Sequence, residues 1–496
     1  MKARIAMIDP PHKIFGALRM WMPSPGLMAL AAYLESKGRE VDLIDATVLD
    51  RPWTDLAARL KGGAYATVGV TCSAATFHHD AVHAVRLVRR SLPQAVIVGG
   101  GGHFSLNAEQ ILPQLPELDY IVNGEGEETF LALLDWLADP QGDKPFDIPG
   151  LVFALEGKAY RTAHRALITD LDSLPFPAYR HVEMTSRVYS LHGMGTRAVG
   201  LSTSRGCGDG CSYCSESALW QAHWRGRSGK LVVAEMQRLK RDYGKSLFVF
   251  NENSFNQSRE RNEAFLENLS ASGLSCDFWF QSRVKDILRD RDLLDEYRRL
   301  GLYEVMLGVE SISPQTLKNY KKTQTVEQIR EAAALLRSKG IMVMTNVMFG
   351  DVDDTEETLD TIYRFAAEIG DFLVLCITTP LPGTRYHQQA REEGRIEVTD
   401  YSQYDFMHPI MSNRHYSREE ILALQKKYLR RYYTRPVIFR KMIFSQNSFI
   451  RMAYRLIMRY AWYEARNKEW VQPNYEPVPA FLADTAAAAK SDPGGR

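Results

Sequence analysis

Three of the chain's six cysteines fall within eight residues, in Ser204-Arg205-Gly206-Cys207-Gly208-Asp209-Gly210-Cys211-Ser212-Tyr213-Cys214. The C-x3-C-x2-C spacing puts three thiolates on one tight loop, which makes a metal or cluster site. Such a set suits a four-iron, four-sulfur cluster whose fourth iron is left without a protein ligand and stays open to a substrate or cofactor. Gly206, Gly208 and Gly210 let the loop fold back with its sulfurs inward, at φ values that bulkier residues resist. Arg205 adds positive charge beside an anionic cluster. The plainer reading is a zinc loop in which His223 completes a Cys3His tetrahedron, although structural zinc sites normally come as paired C-x2-C units. Cys72, Cys276 and Cys376 lie singly in apolar runs and read as buried strand residues, not as disulfide partners.

The elements that must hold this loop come in two sets. Over the first 135 residues, Arg4 to Ile8, Val41 to Asp45, Thr67 to Thr71, Ala95 to Val98 and Tyr120 to Val122 are candidate strands, alternating with helical patterns such as Gly26 to Ser36 and His79 to Arg90. This alternation predicts a parallel doubly wound sheet, whose ligands sit outside the carboxyl ends of the strands. Those ends read Asp9-Pro10-Pro11, Thr71-Cys72-Ser73-Ala74, Gly99-Gly100-Gly101-Gly102-His103 and Asn123-Gly124-Glu125-Gly126-Glu127. No G-x-G-x-x-G fingerprint is present, so the glycine runs alone indicate a generic α/β binder. Pro145, Pro149, Pro175 and Pro177 make residues 139–196 a linker. Six further strands, near Val199 to Thr203, Leu247 to Asn251, Asp277 to Gln281, Tyr303 to Val309, Ile341 to Phe349 and Phe372 to Thr379, suggest an open, partial barrel. Its C-terminal face carries Asn251, Glu252, Asn253, Gln281, Glu310 and Asn346, either as site residues or as strand-end caps.

With Tyr213 just before its last cysteine, the loop resembles the signature of the radical S-adenosylmethionine enzymes. The resemblance implies that Cys207, Cys211 and Cys214 ligate the cluster. It also implies that the open iron chelates S-adenosylmethionine and that one electron cleaves the sulfonium to a 5'-deoxyadenosyl radical. By the same resemblance Tyr213, Glu252, Gln281, Glu310 and Asn346 bind S-adenosylmethionine, Glu252 receiving the methionine amine. Phe349-Gly350-Asp351-Val352-Asp353 departs from the family's Gly-Leu-Pro-Gly. The strand ends of the first set resemble the cobalamin-binding domain that precedes one subclass of these enzymes. This implies that Thr71, Ser73, Gly100, Gly101, Gly102, His103, Gly124, Glu125 and Gly126 hold cobalamin. The D-x-H-x-x-G motif that supplies an imidazole to cobalt is absent, and His103 reads as a loop hydrogen-bonding residue rather than a ligand. Trp220, Trp224, Arg225 and Arg227 resemble the branch that includes the anaerobic magnesium-protoporphyrin monomethyl ester cyclases, or simply pack the loop on the first domain.

The expected fold is therefore α/β: a Rossmann-like cobalamin-binding domain (1–138), the linker, a partial (β/α)6 radical domain (197–398), a helical region (399–483) and a disordered tail (484–496). The expected activity is methylation of an unactivated carbon with three cofactors, the cluster, S-adenosylmethionine and cobalamin. The alternatives are radical oxidative cyclisation or rearrangement without net methylation, and a cobalamin-sensing or nucleic-acid-binding protein with a structural cluster. No particular catalytic residue is singled out. The expected partners are a small-molecule substrate and a one-electron reductant such as flavodoxin or ferredoxin. With a net charge of +1, no export signal and no apolar run of about 18 residues, the expected compartment is the cytosol. Between Arg418 and Lys468 there are thirteen Lys or Arg and three Glu, interleaved with tyrosines. That stretch reads as peripheral membrane contact or as a cap over the barrel, nucleic acid being the weaker fit.

Overall fold

The computed structural model describes residues 4–12, 22–189 and 195–445, together with 449–452, 454, 455, 458 and 478–480. The first sheet contains β1 (Arg4–Asp9), β2 (Val41–Asp45), β3 (Tyr65–Thr71), β4 (Val96–Gly100), β5 (Tyr120–Val122), β6 (Leu151–Leu155) and β7 (Lys158–Arg161), ordered β2-β1-β3-β4-β5-β6-β7. The first five are parallel. Their β-branched, almost wholly buried residues suit a sheet covered on both faces. The strand order reverses between β1 and β3, so the crevice at their carboxyl ends is where such a sheet binds ligands.

The reading of residues 139–196 as a linker needs correction. Within it β6 pairs antiparallel with β5, Tyr120 opposite Phe153, and β7 returns along β6. Two causes act together: Leu151, Val152 and Phe153 are completely buried, and the intervening Glu156-Gly157 turn has both residues at positive φ (50° and 75°).

The second half begins with β8 (Ala198–Leu201) and a separate antiparallel pair, β9 (Ser204–Arg205) with β10 (Arg225–Gly226). It continues with β11 (Leu247–Phe250), β12 (Asp277–Ser282), β13 (Leu302–Glu310), β14 (Met342–Phe349) and β15 (Phe372–Ile377). Six of these strands form one parallel sheet ordered β8-β11-β12-β13-β14-β15, whose end strands do not pair with each other. This is the open barrel expected, its inner face filled by Val249, Trp279 and Tyr303.

The helices Arg418–Tyr433 and Pro436–Phe444 cover the outer edge of β15. The Gln425 amide donates to the Leu375 carbonyl (2.7 Å) and the Tyr433 hydroxyl to that of Leu373 (2.8 Å), so edge acceptors are taken up within the chain. Lys427, Arg431 and Lys441 are paired with Glu356, Asp360 and Asp371 of the barrel. This part of the basic stretch is thus a cap. Tyr460, Trp462 and the tail from 484 lie outside the described residues. Among the described residues no helix is long and apolar enough to cross a membrane.

Candidate active site between the two sheets

The β9–β10 ladder closes the cysteine loop at its base, with Arg205 opposite Arg225 and Ser204 opposite Gly226. Gly206 begins the loop at φ +81°, and a Cβ there would lie 2.0 Å from the His223 carbonyl oxygen, so only glycine fits. The loop is pinned from the barrel side. The Ser212 amide donates to Tyr320 O (3.1 Å), the Gly208 amide to Gln257 Oε1 (3.0 Å), and Asp209 is bridged by Arg283 (2.8 Å) and Lys285 (2.6 Å).

Cys207, Cys211 and Cys214 line one cavity of about 540 Å³ together with Tyr213, Gln281, Glu310 and Asn346. Four of the five residues expected to bind S-adenosylmethionine therefore meet the three thiols at the carboxyl ends of β12, β13 and β14. Glu310 sits at a bulge in the β13–β14 register with φ +61° and pairs with the buried Lys322 at 3.2 Å. A β-bulge re-aims the side chain that carries it. Burial and the neighbouring Glu310 carboxylate push the Tyr213 phenol well above its usual pKa. Asn346 Oδ1 accepts from the Cys376 thiol at 3.1 Å. Lys322 and Arg283, which the sequence reading passed over, also line this cavity. Neither lies in a recognisable motif, and only the fold brings them to the loop.

A second cavity, of about 630 Å³, opens at the β1–β3 crevice. Thr71, Ser73, Gly100, Gly101, Gly102, Gly124, Glu125 and Gly126 line it from the first sheet; Arg205, Trp220, Arg227 and Glu252 line it from the other side. Gly101 has φ +92° and a Cβ there would lie 2.7 Å from Cys72 O, whereas at Gly100 and Gly124 a Cβ would meet nothing within 4 Å. The glycine loops thus present bare backbone to the cavity, as a cradle for a large amide-bearing ligand requires.

Three expected residues stand differently from the rest. Glu252 faces the sheet-side cavity, not the thiol cavity, and accepts from the Thr203 hydroxyl beside Arg261. Burial raises its pKa, while Arg261 and Thr203 oppose that. His103 lines the thiol cavity and not the glycine-lined one; its Nε2 lies 3.2 Å from Nδ1 of His78. Burial, with His79 nearby, pushes its pKa down to about 4. Glu125 borders the glycine-lined cavity, but its carboxylate already takes Arg205 Nη1 (2.6 Å), Arg225 Nη1 (2.9 Å to each oxygen) and the Ile168 amide (2.7 Å). Glu127 takes the other arm of Arg205 at 2.5 Å. The Gly-Glu-Gly-Glu run therefore grips the arginine that precedes the first cysteine of the loop. Arg225, Arg227 and Trp224 pack the loop in the same way. Arg227 reaches Glu235 and the carbonyls of Leu174 and Pro175, and Trp224 donates to Ser254 O.

His12, three residues beyond Asp9, is fully buried between Asp9 (2.9 Å) and Asp80 (3.5 Å). Burial works against its charge, but the two carboxylates raise its pKa to about 9. It is an imidazolium, and an imidazolium has no lone pair for a metal.

The two cavities meet. Ser73, Gly102, Glu216, Leu219 and Asn253 border both. The donor set of the thiol cavity also discriminates between metal sites. His223, the fourth donor of a Cys3His zinc site, is exposed and its Nδ1 is turned to the Gln221 carbonyl at 2.7 Å. This disfavours zinc, whereas a four-iron cluster asks its three thiolates to reach three separate irons.

A family model described as the B12 binding domain matches residues 12–134, and one described as the radical SAM superfamily matches residues 201–366. The uncharacterized methyltransferase PH0819 of Pyrococcus horikoshii is 28% identical over 467 residues, 93% of this chain and 99% of its own. The anaerobic magnesium-protoporphyrin IX monomethyl ester cyclase of Cereibacter sphaeroides is 29% identical over 445 residues, 88% of this chain and 71% of its own. Among solved structures, the cobalamin-dependent S-adenosylmethionine radical enzyme OxsB, with aqua-cobalamin and S-adenosylmethionine bound, shares the fold. Its TM-score is 0.72 at 16% identity, over 99% of this chain and 75% of its own. Because both domains are matched, in this order and with their cavities adjoining, the chain belongs to the cobalamin-dependent radical S-adenosylmethionine enzymes.

Proposed function

We propose that the chain methylates an unactivated carbon of a small-molecule substrate held where the two cavities meet. The observation that carries this reading is the shared wall of Ser73, Gly102, Glu216, Leu219 and Asn253, which lets one substrate face both cofactor sites. When bound, the cluster, S-adenosylmethionine and cobalamin supply one-electron sulfonium cleavage, hydrogen abstraction and methyl delivery; the protein supplies binding, orientation and exclusion of water.

In this reading Cys207, Cys211 and Cys214 hold the cluster. Tyr213, Gln281, Glu310 and Asn346 orient S-adenosylmethionine against it, and Glu310 is itself fixed by Lys322. Glu252 steadies Thr203 at the root of the cysteine loop, and its neighbour Asn253 reaches both cavities. Thr71, Ser73 and the backbone of Gly100, Gly101, Gly102, Gly124 and Gly126 would cradle cobalamin, and neither His12 nor His103 lines that cavity. Electrons come from flavodoxin or ferredoxin, and the enzyme works in the cytoplasm. Any membrane contact is peripheral, through the exposed Phe439, Ile443 and Phe444 of the C-terminal helix.

The test is anaerobic reconstitution with iron, sulfide and cobalamin, followed by incubation with candidate substrates and methyl-labelled S-adenosylmethionine. Methylation must give S-adenosylhomocysteine, 5'-deoxyadenosine and a labelled product. 5'-Deoxyadenosine alone, with substrate consumed, would overturn methylation in favour of radical cyclisation or rearrangement, the second reading, which the likeness to the cyclase favours. Tight cobalamin binding with no cleavage of S-adenosylmethionine would point to a sensor.

A further inference from the structure

Glu216 begins where the cysteine loop ends, in the short helix Ser215–Leu219, and it borders both cavities. Its Oε2 accepts from the indole nitrogen of Trp220 at 2.8 Å, and the Arg225 guanidinium lies 5.5 Å from the centroid of that ring. The indole thus fixes the carboxyl group in place. No described residue donates to Oε1, leaving one acceptor at the junction for a ligand.

The charges around this acceptor are one-sided. Among the described residues, the Lys and Arg side chains that line the two cavities are Arg205, Arg227, Arg283 and Lys322, and each is already paired: with Glu125 and Glu127, with Glu235, with Asp209 and Asp286, and with Glu310. Among the described residues Glu216 has no cationic partner. A phosphate or carboxylate on the substrate would find no unpaired Lys or Arg among the described residues of either wall, and taking one from its present partner would break a buried pair, which is strongly unfavourable. The thiol cavity also carries an apolar set, Phe77, Leu106, Leu219, Met348, Leu381 and Phe406, beside polar residues such as Asn107, Thr379 and Asp405.

We infer that the substrate has an apolar body, bears no anionic group at the reacting end, and presents a neutral or cationic hydrogen-bond donor, a hydroxyl or an ammonium, to Oε1 of Glu216. Glu216 is then the residue that selects the substrate and sets which carbon faces both cofactors. This rests on the proposed placement of the substrate at the junction, but not on the outcome being methylation.

The test is calorimetric titration of the reconstituted, cobalamin-loaded protein, with S-adenosylmethionine present, using hexylamine, hexanol and hexanoate as probes of equal length. The amine and the alcohol should bind at least about tenfold more tightly than the carboxylate, roughly the difference one charge-assisted hydrogen bond makes. Glu216→Gln, which keeps the volume and the fold, should erase most of the amine's advantage over hexanoate while changing hexanol by less than about threefold. Hexanoate binding as tightly as hexylamine, or an unchanged amine-to-carboxylate ratio in Glu216→Gln, would overturn the inference. Methylation is read separately, as S-adenosylhomocysteine, so either idea can fail while the other stands.

Discussion

Replacing Glu125 by Gln tests whether the first domain holds the cluster loop through charge. The Glu125 side chain is 3% exposed and that of Arg225 is 10% exposed, so solvent does little to screen them. Among the described residues, Nε and Nη2 of Arg225 lack hydrogen-bond partners, and apart from Glu125 its only acceptor is the Ile168 carbonyl at 2.7 Å. Removing the carboxylate leaves this guanidinium buried and uncompensated, a class of change that costs about 3–5 kcal/mol. Arg205 keeps Glu127 and the Gln oxygen can still accept one bond, so the expected loss is at the lower end, about 3 kcal/mol. For a unit of 150–250 residues that lowers the unfolding midpoint by roughly 6–12 °C. Calorimetry on the cofactor-loaded protein reads the shift, and cobalamin affinity should fall with it, because the same loop borders the cradle. Arg225→Met combined with Glu125→Gln should recover part of the loss, since removing both partners spares the orphaned charge. A single variant within about 0.5 kcal/mol of the parent, or a double variant as unstable as the sum of the two singles, would refute the clamp.

Cys211→Ala should abolish the cluster's visible absorption and all reductive cleavage of S-adenosylmethionine; full activity in that variant would remove the cluster from the mechanism. Gly101→Ala should weaken cobalamin binding in equilibrium dialysis and destabilise the protein by about 1–3 kcal/mol, because φ is +92° and the added methyl meets Cys72 O. His12 predicts a pH effect. Its folded pKa of about 9 lies above the ordinary 6.5, so its contribution is complete below about 6.5 and is lost as pH rises toward 9. Asp9, Asp80 and Asp45 surround it, so His12→Gln should lose stability below pH 6.5 and show a flatter stability profile above it. A parent whose stability is level between those limits would contradict the ion-pair assignment.

The parts of the site that a reader of the sequence could find are those whose chemistry is local. The cysteine spacing, the glycines that permit the turn, and the polar residues Gln281, Glu310 and Asn346 on β12, β13 and β14 are each written within a few consecutive residues. Glu125 carried no such signal for its clamp: its partners Arg205 and Arg225 are 80 and 100 residues away. The β6–β7 hairpin was hidden by its flanking prolines, and its pairing with β5 is decided by burial of Leu151, Val152 and Phe153 against the sheet. His103 follows a glycine run that does line the crevice, yet it begins a helix whose first turn points it into the neighbouring cavity. Direction of that kind follows from packing, not from position in a motif.

The two-rung ladder between β9 and β10 has an evolutionary consequence. Residues 206–224 leave and re-enter the fold at one place, so exchanges inside that loop leave the order of the barrel strands intact provided they keep its contacts to Tyr320, Gln257 and Arg283. The loop is a cassette that carries Cys207, Cys211, Cys214 and Glu216 together. On the proposed reading, exchanging it between relatives moves the thiols and the Glu216 acceptor as one heritable unit.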